Sequence, residues 1–343
     1  MTSVLAPPAP RPRVRRRAAP LALALAGLAG AALLSLLVGN QPLRFGELLA
    51  ALTDFAGRDS DLIVWHLRIP RTVAGLLAGV ALGLAGAVAQ GLTRNPLADP
   101  GLLGVNAGAA LGVVVAIAVL GVGTLAGYAW FAFAGAAAAA VAVHAVASAG
   151  RGGATPVKLA LAGAALSALL GSVTSAFTLL DVDAFERFRF WVIGSLARAD
   201  LATVGQAVPF VAAGAVLALA LGRALDAVAL GDDTASALGA GLHRVRGLGV
   251  AAVVVLSGTA TAVAGPIGFV GLTAPHLARA IAGADHRWVL PWSAVLAPTV
   301  LLLADVAGRV VLRPEEVQIG VTAAVLGAPV FLYLVRRRKL PQL

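Results

Sequence analysis

Charge spacing is the feature that most constrains this chain. Between Arg71 and Arg94 lie 22 uncharged residues, and residues 159–180 and 201–222 form two more windows of the same length. At about 1.5 Å per residue, such a window reaches roughly 33 Å as a helix, enough to cross a hydrocarbon core of about 30 Å. The chain has 343 residues, of which 12% are charged and 59% hydrophobic. Soluble domains carry about 25% charged residues. A water-soluble enzyme, a nucleic-acid binder and a disordered protein are therefore excluded, and the natural unit is the membrane span.

The remaining windows complete a count. Residues 20–38 form the first span. The 51 uncharged residues between Asp99 and Arg151 divide at Gly121–Gly127 into two. The 32-residue window 247–278 is too long for one helix and breaks at Gly265-Pro266, leaving a short span over about 269–283. Windows 288–304 and 317–335 follow. The sum is an all-α, polytopic protein of about ten transmembrane helices, with a basic tail at 1–19, a membrane domain at 20–338 and a short tail at 339–343.

The net charge is +10, concentrated at the ends: Arg11, Arg13, Arg15, Arg16 and Arg17 at the start, Arg336, Arg337, Arg338 and Lys339 near the finish. Ten spans put both termini on one side. With the termini inside, the inner segments hold 17 Lys and Arg and the outer segments 9. That bias matches cytoplasmic termini. Residues 11–38 also have the basic start and apolar run of a signal peptide, but the spans that follow need this first one to keep their charge bias. No cysteine is present, which removes disulfides and thiolate metal sites.

Glycines recur every fourth residue at Gly75, Gly79 and Gly83 and again at Gly104, Gly108 and Gly112, the spacing that lets helices approach closely in lipid. The span centres carry almost no ionisable group. Ion-coupled carriers place carboxylates or histidines there, so the energy source is expected elsewhere. His144 and His276 lie toward span ends, where hydrogen-bonded structural roles are the ordinary case. The chain's two lysines, Lys158 and Lys339, sit in no phosphate-binding loop. Ser257 and His276 could form a nucleophile–base pair, but nothing orients them. An internal echo links AGAVAQGLTRNPL at 85–97 with AGPIGFVGLTAPHL at 264–277. It is compatible with two related halves in opposite orientation.

The stretch 68–108, RIPRTVAGLLAGVALGLAGAVAQGLTRNPLADPGLLGVNAG, resembles the iron-chelate (FecCD-type) permeases. LALAGAALSAL at 159–169, FWVIGSL at 190–196, GPIGFVGLTAPHLAR at 265–279, ADHRWVLP, LLLADVAGR and IGVTAAVLGAPVFLYLV continue the likeness to residue 335. The resemblance implies a type II ABC importer permease in a bacterial cytoplasmic membrane. Its partners would be a second permease subunit, identical or paralogous, two cytoplasmic ATPases and an extracytoplasmic binding protein. No nucleic acid is involved. ATP and Mg would belong to the ATPases, and this chain would carry no cofactor and perform no catalysis. The expected cargo is a ferric siderophore, with haem or cobalamin as alternatives. An ion-coupled secondary transporter is the rival of a different class.

The resemblance also assigns residues. Arg68 and Arg71, just outside the second span, and Arg309, after the ninth, would meet carboxylates of the binding protein; ordinary interfacial snorkelling is the alternative. Exposed opposite charges steer encounter. Asn95, Pro96 and Leu97 would form a cytoplasmic gate, or simply a helix connection. A second gate, in the loop before LALAG, stays unassigned because that loop is one residue longer than the family pattern. Residues 230–244 would couple to the ATPase as short helices, or form a solvated loop. Read from the residues, Gly231 and the Asp232-Asp233 pair can start a helix, Ala235, Leu238 and Leu242 share one face at helical spacing, and Gly239 and Gly241 can end it.

Overall fold

The structure is a computed structural model that describes residues 18–149, 155–237, 239 and 241–336. The basic tail over 1–17, the closing tail including 339–343, and Leu238 lie outside the described residues. Every regular element among them is helical. Among the described residues, seven helices or continuous helical runs are long and apolar enough to cross a membrane. They are α1 (Ala18–Leu37), α4 (Ile69–Thr93) with the helical turns that lead into it, α6 (Leu125–Ser148), α7 (Pro156–Leu180), α9 (Leu201–Ala220), α12 (Leu242–Ala264) and α14 (His286–Val311). Two shorter apolar helices, α5 (Val105–Ala118) and α15 (Ile319–Arg336), and the 13-residue α13 (Val270–Ala282) complete the ten segments expected from the charge windows.

Short polar side chains set many of the helix starts by accepting otherwise unpaired first-turn N–H groups. Thr124 caps α6, Thr155 caps α7, Asp200 caps α9 through Thr203 N at 2.8 Å, and Asp285 caps α14 through Arg287 N at 2.9 Å. Asp181 does the same for α8 (Val182–Val192), which lies between α7 and α9. The 39–70 connection contains α2 (Phe45–Thr53) and α3 (Asp59–Leu62), then a π-helical turn over Ile63–Arg68 that runs unbroken into α4. Asp61 holds that entry by accepting from Ala56 N, Arg58 N and the Arg58 guanidinium.

Spans α7 and α12 begin before their charge-free windows, taking in Lys158 and Arg244 with Arg246, and two others exceed theirs through buried ion pairs. The helical run containing α4 covers Asp59–Thr93, 35 residues, and α14 continues past Asp305 and Arg309 to Val311. Arg309 therefore belongs to the helix rather than following it. Asp305 and Arg309 stand one turn apart and pair with each other. A charge neutralised by its neighbour does not end a helix, although it ends a charge-free window. Within the 247–278 window the break falls where the sequence places it: Gly265 has φ +71, a left-handed value that a side chain disfavours. The segment turns back through Phe269 (φ +66) into α13. At about 20 Å, α13 is too short to cross a bilayer alone.

α4 is the central post. In its apolar window 78% of residues are buried, against 72% in α12 and 11% in α7. It runs antiparallel to α14. A Cβ at Gly75 would meet Leu302, at Gly79 the Pro298 backbone, at Gly83 the Ser293 carbonyl, and at Gly91 the His286 ring. Gly108 and Gly112 bring α5 equally close to α6 at Gly135 and Phe131. Gly104 instead takes a left-handed φ of +73 and ends the 3-10 turn over Pro100–Leu103. Leu161, Leu169, Leu179 and Leu180 of α7 face outward, as lipid-facing or subunit-facing residues do.

The echo segments do not run in opposite directions. Gly86 packs on Gly271, Gln90 Nε2 donates to the Leu272 carbonyl at 3.2 Å, and the Pro96 carbonyl meets His276 Nε2 at 2.8 Å. Contacts that advance together along both chains make the end of α4 and α13 parallel neighbours.

Gly79→Val should cost about 1–3 kcal/mol by overpacking against Pro298, read as a lower melting temperature in detergent. Gly27→Ala in α1, where a Cβ meets nothing within 4 Å, should leave it unchanged or higher.

Candidate functional site

Two polar clusters occupy the opposite ends of α4. At its start, Arg68, Arg71 and Arg309 converge as expected of a shared site, but not as free forks. Arg71 places Nε and Nη2 on Asp305, with Nη2 at 2.8 Å, and Nη1 on Glu316 at 2.6 Å. Arg309 is fully buried. It spends its donors on Asp305, on the Ser35 carbonyl at 2.8 Å and hydroxyl at 2.8 Å, and on the Val38 carbonyl at 3.0 Å. Arg68, also buried, donates to the Val38 and Gln41 carbonyls. Gly39 makes that possible, since a Cβ there would occupy the guanidinium's place.

The expectation of three exposed docking arginines is corrected on this point. Burying a guanidinium without a partner is costly, and the membrane offers no water in its place. The fold supplies Asp305, Ser35 and main-chain carbonyls instead. Glu316 is the exception. Its side chain is 28% exposed against 1% for Asp305, so it is the partner of Arg71 that solvent or another protein can reach. Beside it opens a cavity of 370 Å³ lined by Asn40, Gln41, Arg68, Arg71, Ala197 and Glu316 and by the apolar Ile63 and Leu67.

At the other end α4 stops at Arg94, whose backbone turns left-handed (φ +50). The Asn95 side-chain oxygen accepts from Leu97 N at 2.9 Å, the Asx turn that an Asn-Pro pair favours. Pro96 is half-buried, while Asn95 and Leu97 are exposed. His276 clamps the turn from α13. A carbonyl only accepts, so its bond to Pro96 requires the proton on Nε2. Arg279, one turn further on, donates to the Gln90 side-chain oxygen. Asp99 then caps the 3-10 turn through Gly101 N at 2.8 Å. Removal from water pushes its carboxyl above the usual aspartate value, against the lowering effect of that bond.

The short-helix segment lies against this turn. It comprises α10 (Gly222–Ala229) and α11 (Asp232–Ala237), separated at Gly231 (φ +102). Gly239 (φ +81) follows α11, and Leu242 opens α12. Leu242 therefore shares no helix with Ala235, and Ala235 is buried within this chain. The helical spacing over 235–242 misled because α11 covers six residues, Asp232–Ala237, and Gly239 is left-handed. Leu238, the third member of that face, lies outside the described residues.

The ion pairs here were missed by sequence reasoning, which took Asp232 only as a helix start. Asp232 Oδ1 meets Arg94 Nη2 at 3.0 Å and its Oδ2 meets Arg246 Nη2 at 2.7 Å. Asp226 on α10 accepts from His286 N and faces its Nδ1, both at 2.8 Å. Asp305 was missed as well. Its signal was an acid four residues before Arg309 in an apolar run, a spacing that pairs on a helix. No group of three or more His, Asp or Glu side chains that could hold a metal forms among the described residues.

Residues 25–337 match the FecCD transport family. The chain belongs to that family. It is 47% identical over 306 residues to the ferric enterobactin transport system permease protein FepD of Escherichia coli K12, covering 89% of this chain and 91% of that protein. It is 39% identical to the probable siderophore transport system permease protein YfiZ of Bacillus subtilis 168, covering 88% and 91%. A metal-chelate-type ABC transporter solved in an inward-facing conformation superposes with a TM-score of 0.82 at 28% identity, covering 93% of this chain and 99% of that one. This FecCD-family chain is an integral membrane transport permease.

Asp305→Asn should destabilise this FecCD permease by about 3–5 kcal/mol, because it strands buried guanidinium charge. Glu316→Gln, at the exposed edge, should cost under about 1 kcal/mol. Thermal melting of both variants in detergent checks the contrast.

Proposed function

We propose that this chain is the membrane subunit of a binding-protein-dependent ABC importer for a ferric siderophore. Two permease subunits, identical or paralogous, enclose one pathway. The chain sits in the bacterial cytoplasmic membrane with both termini in the cytoplasm. Two cytoplasmic ATPases hold the ATP and Mg, and the chain itself performs no covalent chemistry. The observation that carries this reading is its likeness to FepD over nearly the whole chain. The absence of a phosphate-binding loop from the sequence supports placing the energy source in a partner.

The two polar ends divide the work. The α4 start, with its cavity, faces the extracytoplasmic binding protein. Arg71 is the residue that meets a partner's carboxylate, by exchange with Glu316, and its fork geometry suits that exchange. Arg68 and Arg309 position it from within. At the opposite end the Asn95-Pro96-Leu97 turn closes the pathway, and α10 and α11 lie toward the ATPase. The exposed surface of α11, on the side away from Ala235, makes the contact.

Cells lacking their own ferric-siderophore permease, given this chain with its ATPase and binding protein, should accumulate radioiron supplied as ferric enterobactin. Accumulation from haem but not from ferric enterobactin would overturn the cargo. In the purified complex, Glu316→Gln should tighten binding-protein docking several-fold by freeing Arg71, and Arg71→Lys should weaken it by a similar factor. Equal affinities in both variants would remove Arg71 from docking.

A further inference from the structure

We propose that Asp232, shared between Arg94 and Arg246, is the positioning residue through which movement of α11 reaches the Asn95–Leu97 turn. This rests on the reading of that turn as a gate and of α11 as an ATPase contact.

The two short helices are held differently. α10 is anchored: Leu225 and Val228 are buried, and Asp226 fastens it to the first residue of α14. α11 is lightly held. Of its six residues Ala235 alone is buried, and its charged link to the bundle is the Asp232 carboxylate. Gly231 lies between the two with a backbone that side chains disfavour. A push on α11 therefore bends the chain at Gly231 before it shifts α10.

The carboxylate is evenly divided, one oxygen to each arginine. Arg246 stands in the second turn of α12, a long and mostly buried helix, and offers a fixed point. Arg94 is the last residue before the turn, and its N–H is still bonded to the Gln90 carbonyl at the end of α4. Displacing Asp232 thus acts on the residue whose main chain begins the gate. A cavity of 50 Å³ lined in part by Thr93, Ala98, Asp99 and Arg246 leaves the surroundings of the turn incompletely packed.

All three side chains are 27–41% exposed. Ion pairs this wet contribute little to folding. The clamp is accordingly suited to being broken and remade in a cycle, and its loss should leave the fold intact.

The natural chain has no cysteine, so Leu97→Cys gives a single thiol at an exposed position of the turn. In the full complex with the ATPase and binding protein, ATP should change its rate of labelling by a water-soluble maleimide by about fivefold or more, an ordinary size for coupling between sites. Adding Asp232→Asn should abolish that change while melting temperature, ATPase co-purification and ATP hydrolysis persist. Asp232→Glu should restore it. Arg94→Gln should reproduce the loss, and the double variant should be no worse than either single one. An ATP-dependent labelling change that survives Asp232→Asn overturns the inference. Loss of the ATPase on Asp232→Asn would overturn it too, making Asp232 a docking contact. Failure of the ATPase to co-purify with the unaltered chain would instead sink the functional reading beneath it.

Discussion

The close approach of α4 to α14 fixes where both polar clusters of this protein lie. Gly75, Gly79, Gly83 and Gly91 put backbone against Leu302, Pro298, Ser293 and His286 in one antiparallel register. In lipid there is no hydrophobic gain from bringing two apolar helices together, so contact area and dispersion must do it, and small residues allow the most of both. Once that register is set, Arg71 can reach Asp305, and the opposite end of α4 comes to rest beside the start of α14. The glycine stripe is thus a positioning device for groups that are themselves far from any glycine.

The two ends treat charge in opposite ways. Asp305 and Arg309 are buried and mutually saturated, with Ser35 and the Val38 carbonyl completing the set. Such a network gives a fixed geometry, because each member is expensive to leave unpaired. Asp232, Arg94 and Arg246 are half-exposed and correspondingly cheap to rearrange. The rigid network backs the proposed docking face, which needs a fixed shape. The loose one lies where the proposed cycle needs movement.

Most of the fold was legible in the charge windows, since a hydrocarbon core rejects unpaired charge and the sequence has few charges to place. The window rule failed where charges are paired. It ended α14 at Asp305, before Arg309, and it started α4 after Arg71, although both helices continue through these partners. Pairing between residues 71 and 305 leaves no local trace, so only the Asp305–Arg309 spacing hinted at it. The echo around Gly91-Leu92-Thr93 and Gly271-Leu272-Thr273 was visible, but its direction depends on the reversal at Gly265–Phe269. For the candidate site, the converging arginines and the Asn95–Leu97 turn were found, whereas their burial and the Asp232 link were not. Residue types give the chemistry available at a position, and packing decides whether it is spent internally.

The sequence holds no phosphate-binding loop, and the proposed function places the motive power in partner subunits. On that proposal the chain is a conduit moved by its partners. The most direct measurement is solute accumulation in sealed proteoliposomes containing the chain alone, then with its ATPase and binding protein, with ferric enterobactin as solute. Uphill accumulation should require the ATPase, the binding protein and ATP together. Accumulation by the chain alone, driven by an imposed proton or sodium gradient, would contradict it.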